Sequence, residues 1–295
     1  MNALNDNQAA SAVIADPNVE LWSGKDKTDE NFPVGSWAIA KKLRPHVHAF
    51  YAFARNADDI ADHPTLGRDE KLRRLDVMEQ VLTGQVLAGG AAQGSPSAAR
   101  LRESLAQTGV PAIHARELLV AFRQDATQSR YESWEALMDY CRYSAAPVGR
   151  YVLDLHGESR ESWPASDALC ASLQVLNHLQ DCAGDLRELD RCYIPQNLLH
   201  AHGAGTDDIA RPKATDGLRL VFDAMLVSTA ALNAAAAALP RAVKSRRLRV
   251  ETAIIAGLAR RLTERLRRYD PLAMRVKLRP LDVAAATAAA LPGLA

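Results

Sequence analysis

An excess of charge of either sign is missing. The chain has 36 Lys+Arg against 35 Asp+Glu, a net +1, so no global basic field points to DNA or RNA, and any anion site must be local. Cysteine is scarce: Cys141, Cys170, Cys182 and Cys192 form no CxxC pair and none of the short spacings of zinc sites, and they read as buried free thiols in a reducing compartment. The first twenty residues hold no basic segment followed by an apolar stretch, so secretion is not expected. No window approaches the ~18 to 20 uncharged apolar residues of a spanning helix, and the expectation is a soluble cytoplasmic protein. A Rossmann-type glycine motif after a strand is also absent, since HGAGTD at 202–207 lacks both the third glycine and the strand. His200 and His202 have no third ligand at a recognisable spacing, which argues against zinc.

What remains is a helical pattern. Hydrophobic residues make up 48% of the chain, ample for a core, and from Ser36 onward they recur at helical spacing, as at Val47, Phe50, Tyr51 and Ala54. Strand-like alternation is almost absent. Breaks fall at 63–67, 89–96, 109–111, 157–164 and 200–212. The fold class expected is all-α, as a single domain over 31–280, with a loose polar arm at 1–30 and an alanine-rich tail at 281–295. Gly217 to Leu239, dominated by alanine and leucine, reads as a core helix.

Two acidic clusters carry the chemistry: Asp58, Asp59 and Asp62 in ARNADDIAD, and Asn177, Asp181 and Asp185 in LNHLQDCAGD. Residues four apart share a helix face about 6 Å apart along the axis, so each cluster is a ladder of oxygen ligands. Like charges on one face repel, and a cation should lie between them. Mg²⁺ suits such a site, because it takes oxygen ligands and is bound through one or two carboxylates plus substrate phosphates. Both ladders have apolar neighbours, Phe50 and Phe53 for the first, Leu173, Val175, Leu176 and Leu179 for the second. Acids at the mouth of an apolar pocket suit a substrate with a diphosphate head and a hydrocarbon tail.

These stretches resemble the squalene and phytoene synthases, the head-to-head prenyl synthase family, and within it the bacterial hydroxysqualene synthases of hopanoid biosynthesis. The matching segments are NFPVGSWAIAKKLRPHVHAFYAFARNADDIAD (31–62), YCRYSAAPVGRYVLDLHG (140–157), LNHLQDCAGDLRELDRCYIP (176–195) and, more loosely, RRYDPLAMRVKLRP (267–280). The resemblance implies an isoprenoid-synthase-type helical bundle around a central apolar cavity. Asp58 and Asp62, with Asn177, Asp181 and Asp185, would hold Mg²⁺ against the diphosphate. Arg55 matches a family arginine near the diphosphate, with a plain Arg–Asp pair as the alternative. Tyr143 matches a tyrosine facing the reacting carbons, with core packing as the alternative. Tyr193, Arg191 and Lys277 are further contact candidates, and Phe32 sits where relatives place a phenylalanine near the substrate or in the core. Asp58, Asp62, Asp181 and Tyr143 are the residues expected to carry catalysis.

The implied reaction is ionisation of presqualene diphosphate, rearrangement, and capture of the final cation by water to give hydroxysqualene. The competing reading is condensation of two prenyl diphosphates, such as farnesyl diphosphate, to presqualene diphosphate, dehydrosqualene or phytoene. Coupling to a presqualene diphosphate synthase would supply the substrate. A noncatalytic assembly role disagrees with two intact ladders. Three details depart from the family pattern: Asn31 replaces a common serine, Pro147 should bend or open its helix, and the stretch after Asp185 is one residue longer, which unsettles the placement of Arg191. The basic string Lys244 to Arg249 and the later Arg260, Arg261, Arg265, Arg267 and Arg268 read as solvated faces, with peripheral contact to anionic lipid as the functional alternative.

Overall fold

A computed structural model of the chain describes residues 19–20, 39–85 and 94–290. The expectations for Asn31, Phe32 and most of the N-terminal arm lie outside those residues. The described part is helical: α1 Arg44–Ala61, α2 Arg68–Thr83, α3 Pro96–Thr108, α4 Ile113–Asp125, α5 Trp134–Ser144, α6 Ala146–Leu155, α7 Trp163–Leu189, α8 Asp216–Ala236, α9 Arg246–Arg268 and α10 Pro280–Ala290. Short helical turns at Gln196–Ala201, Thr206–Ile209 and Leu239–Ala242 link the later ones. Among the described residues there is no strand, only an isolated bridge between Arg130 and Cys192.

Helix boundaries follow local chemistry. α1 opens with Pro45 in its first turn, where the missing N–H costs nothing, and buries Val47, Phe50, Phe53, Ala57 and Ile60 on one face. Serine or threonine hydroxyls accept N-terminal amides at Ser95, Ser133, Thr215 and Ser245, each cap worth about 1 kcal/mol. α7 is the longest helix and ends at Asp190, whose φ of 51° turns the chain away. Past this left-handed cap the Arg191 amide returns to bond the Asp185 carbonyl at 3.1 Å.

Two cores meet along α6. α1 to α4 enclose Phe53, Leu75, Met78, Leu101 and Leu119, while α5 to α9 enclose Leu137, Leu176, Phe222, Met225 and Leu262. Tyr151 of α6 stacks on Phe50 at 3.9 Å and donates from its hydroxyl to the His46 carbonyl. Near this seam lies an apolar cavity of about 240 Å³, with walls that include Val47 of α1, Val152 of α6, Leu169 and Leu173 of α7, and Ile255 of α9.

Three local expectations are sharpened or revised. Of bending and opening, Pro147 gives the opening: the chain breaks at Ala145, and Pro147 stands in the first turn of a new helix. α8 is not wholly a core helix, because Leu220 and Val227 on its outer face are 53% and 64% exposed. The stretch Asp216–Ala242 also meets the length and composition of a membrane-crossing helix, with mean hydropathy 1.6 over its most apolar window, because alanine counts as apolar whether it faces core or water. Its inner face packs Val221, Phe222, Met225 and Leu226 into the core, so here it is one wall of the bundle. At the chain ends, Val19 and Glu20 are docked instead of loose: the Glu20 carboxylate accepts from Ser95 Oγ and the Ser97 amide at the start of α3. α10 packs on α9 with Ala286 against Gly257, so the bundle continues to Ala290, past the boundary expected near 280.

Candidate active site

The C-terminal halves of α1 and α7 carry the two acidic ladders to one end of the bundle. Arg55 donates to Asp58 at 2.9 Å and to Asp59 at 2.7 Å, so the anticipated Arg–Asp pairing is present next to the ligand candidates. Asp59 is buried against that guanidinium, which leaves Asp58 and Asp62, one turn apart, as the outward pair. The Asp58 carboxyl is about one-third exposed by area, yet protein encloses it at longer range. That desolvation, and then the neighbouring Asp62, raise it well above the usual carboxylate range despite Arg55. On α7, burial followed by the charges of Asp181 and Asp62 push Asp185 up to about 7. The ladders end near each other, because Arg191 bonds the Asp185 carbonyl through its amide at 3.1 Å and Asp62 through Nη1 at 2.6 Å. Asn177 is half-buried and Asp181 exposed on the same helix.

Arg191 ties the two sides together. Its Nη1 donates to Asp62 at 2.6 Å, Nη2 to the Ala61 carbonyl at 3.1 Å, and Nε to the Asp125 carbonyl at 3.2 Å. The guanidinium is buried. Burial alone would favour its loss of charge, but Asp125 and Asp62 outweigh this and hold it firmly protonated. Expected as a diphosphate contact, Arg191 in this conformation is a strut between the end of α1 and the loop after α7. Lys71 of α2 donates to the same Ala61 carbonyl at 2.8 Å.

Beneath the strut lies a layer that sequence reasoning missed. Asp125, at the end of α4, accepts from Tyr140 and Tyr193 hydroxyls, both at 2.9 Å. Burial is the main reason its carboxyl is raised to about 6, with Arg191 pulling the other way. Tyr193 stacks on His178 at 3.6 Å between ring centroids, and burial lowers His178 to about 3, so this histidine sits neutral within the packed layer. Tyr193, expected as a substrate contact, is thus buried in the supporting layer. Its position is set by the α4–α5 loop, where the Ser129 carbonyl accepts from the Cys192 amide and the Tyr131 carbonyl from Gln196. No pattern in the sequence marks Asp125 out, because its partners come from α5 and the loop after α7.

The other candidates are placed as follows. Tyr143 is half-buried near the end of α5, with the Arg142 guanidinium 5.4 Å from its ring centroid. It precedes Val148 and Val152, which line the apolar cavity. Lys277 is exposed, and its neighbour Val276 accepts from Gln180 Nε2 at 2.6 Å, which brings the 275–279 segment beside Asp181. A polar cleft of about 470 Å³ opens between Asp62, His63 and Lys71 on one side and Arg187 to Arg191 on the other.

A divalent cation fits this donor set. Every candidate ligand offers oxygen, the preference of Mg²⁺, and the raised carboxyls of Asp58 and Asp185 mark negative charge that the chain leaves incompletely balanced. The described residues hold no ready-made cage of three clustered ligands. Mg²⁺ does not need one, since it keeps waters and shares the substrate's phosphates. The all-oxygen rows, the buried strut and the nearby apolar cavity accord with a family model for squalene/phytoene synthases that matches residues 25–282. The chain belongs to the squalene/phytoene synthase family. It is 46% identical over 272 residues to a hydroxysqualene synthase of Rhodopseudomonas palustris, covering 92% of this chain and 91% of that one. A hydroxysqualene synthase of Zymomonas mobilis is 46% identical over 258 residues, with 87% and 85% covered. Among solved structures, squalene synthase HpnC from Alicyclobacillus acidocaldarius superposes with a TM-score of 0.70 at 33% identity, covering 82% of this chain and 90% of that one. A dehydrosqualene synthase at 20% identity shares the fold, with a TM-score of 0.75 and 91% and 93% covered. As a squalene/phytoene synthase family member the chain is an enzyme acting on prenyl diphosphates.

Proposed function

We propose that this enzyme converts presqualene diphosphate to hydroxysqualene with Mg²⁺ as cofactor. The observation that carries the reading is the pair of opposed acidic ladders next to an apolar cavity, in a chain 46% identical to hydroxysqualene synthases over nearly its whole length.

Asp58 and Asp62 from α1, and Asn177, Asp181 and Asp185 from α7, would hold the metal. Bound there, Mg²⁺ supplies charge neutralisation for the departing diphosphate. The chain's own residues do the rest. Arg55 holds the Asp58 carboxylate at 2.9 Å, and its charge favours an anion nearby. Lys277, next to Val276 on the flank of α7, adds a mobile cation for a phosphate oxygen. Arg191 spaces the ladders by pinning Ala61 and Asp62 to the loop after α7. Apolar side chains of α6, α7 and α9 hold the hydrocarbon and keep water from the cation until the last step. The ring of Tyr143 faces that cation, whose charge an aromatic π-face attracts.

The test is product identity. Purified protein with Mg²⁺ and no nicotinamide is incubated separately with presqualene diphosphate and farnesyl diphosphate, and products are identified by mass. The proposal expects hydroxysqualene from presqualene diphosphate and no condensation of farnesyl diphosphate. Formation of presqualene diphosphate from farnesyl diphosphate would instead make this a condensing enzyme, and squalene formed only on adding reduced nicotinamide would replace water with hydride.

A further inference from the structure

The near-zero net charge conceals a polarised molecule. Residues 241–279 hold thirteen Lys and Arg against three Asp and Glu, although the whole chain nets only +1, so the remainder is acidic overall. Three of these cations, Arg241, Arg260 and Arg261, line one groove of about 570 Å³ between the Leu239–Ala242 turn, α9 and α10, with Glu264 beside them and a floor rich in alanine. Arg241 and Arg260 are exposed and make no ion pair among the described residues. Arg261 has only a 3.8 Å approach to Asp282.

Both flanks of the groove carry exposed apolar side chains. On α8, no charged residue occurs from Ala224 to Leu239, and Leu220, Ala224, Val227, Ala231 and Ala235 share its outer face by helical spacing. On α10, Leu281 and Val283 are 80% and 45% exposed, and no charge follows Asp282 as far as Ala290. Single exposed leucines are ordinary. Exposed apolar side chains on two helices that both border an arginine groove are not, and apolar surface of this kind marks an interaction site.

We infer that this face docks on an anionic bilayer, with Arg241 and Arg260 at the lipid phosphates and the α8 and α10 ridges entering the headgroup–acyl boundary. Charge complementarity selects this partner. A two-fold dimer through the same face would set one arginine groove against its copy, an uncompensated like-charge contact. Nucleic acid is disfavoured because the ridges offer no aromatic face for base stacking. Apolar area together with basic residues is the combination that holds a helix in a membrane interface. α9 stands between this groove and the apolar cavity, with Ala253 and Arg260 toward the groove and Thr252 and Ile255 toward the cavity. The inference does not depend on which prenyl diphosphate is consumed.

The experiment is vesicle flotation of the full-length protein without substrate, using phosphatidylcholine alone and phosphatidylcholine with phosphatidylglycerol, at low and high salt. The wild type is expected on the anionic vesicles only, with binding lost at high salt. R241E/R260E is expected to bind at least about 25-fold more weakly, at roughly fivefold for each cation removed, and L220D/V227D should lose binding at either salt. All should keep wild-type melting temperature and turnover of detergent-dispersed substrate, which separates docking from folding and chemistry. Equal binding to neutral vesicles, no binding to either, or variants that bind as wild type would overturn the inference. So would light scattering that shows a wild-type dimer dispersed by L220D/V227D while vesicle binding is unchanged.

Discussion

Replacing Arg191 by methionine tests the supporting layer. The substitution keeps bulk but removes a buried guanidinium that bonds Asp62 and two main-chain carbonyls and lies 4.0 Å from Asp125. Removing one partner of a buried ion pair costs about 3–5 kcal/mol, because the other charge remains buried and unpaired. The Ala61 carbonyl keeps Lys71 as a donor, so the lower part of that range is expected. At the entropy of unfolding of a domain this size, the loss lowers the melting temperature by about 5–9 °C. The pH dependence gives a second handle. Asp125 is already raised to about 6 in the folded protein, above an unfolded carboxyl near 3.9, and loss of Arg191 raises it further. Between those values the folded state binds more protons than the unfolded one, so stability falls as pH rises through the window. The penalty of R191M should therefore be greatest near pH 8 and shrink toward pH 4, read from urea midpoints at each pH. The double variant R191M/D125N, with both charges gone, should recover more than about 1 kcal/mol relative to R191M. A loss under about 1 kcal/mol, equal penalties at both pH values, or simple additivity in the double variant would refute the strut.

Gly149 lets α6 approach α7: a Cβ there would lie 2.4 Å from Ser166 Oγ and 2.7 Å from Cys170 Sγ, so G149A should destabilise by about 1–3 kcal/mol, measured by chemical denaturation. Because Gly149 also lines the apolar cavity, the same variant should alter KM more than a destabilising change far from it. Asp190 holds φ at 51°, a region that β-branched residues resist. D190V should lower stability by about 1–2 kcal/mol and D190G should stay within about 1 kcal/mol of wild type, both read from melting curves.

The fold class was legible because helical periodicity is local: the apolar face of α1 can be read from Val47, Phe50 and Phe53 without knowing what they touch. The acidic ladders were legible for the same reason, since i,i+4 spacing on one helix needs no tertiary information. Asp125 was not, because its meaning arises only when the ends of α4 and α7 and the middle of α5 converge on it. The placement of Arg191 was not legible either, because it depends on the left-handed cap at Asp190 that turns the chain back to where Asp62 needs it. The outer face of α8 escaped notice because an alanine-rich helix reads alike whether it is enclosed or bare, and only the position of its neighbours decides.

The central claim is that the α1 and α7 acids jointly hold a metal–diphosphate complex. Isothermal titration of Mg²⁺ into the protein, with and without inorganic pyrophosphate, tests it most directly in the wild type and in D58A, D181A and D58A/D181A. The account predicts metal uptake strongly enhanced by pyrophosphate in the wild type, weakened about tenfold or more by either single change, and abolished with turnover in the double variant while its melting temperature is retained. Unchanged pyrophosphate-dependent metal binding in the double variant would contradict it.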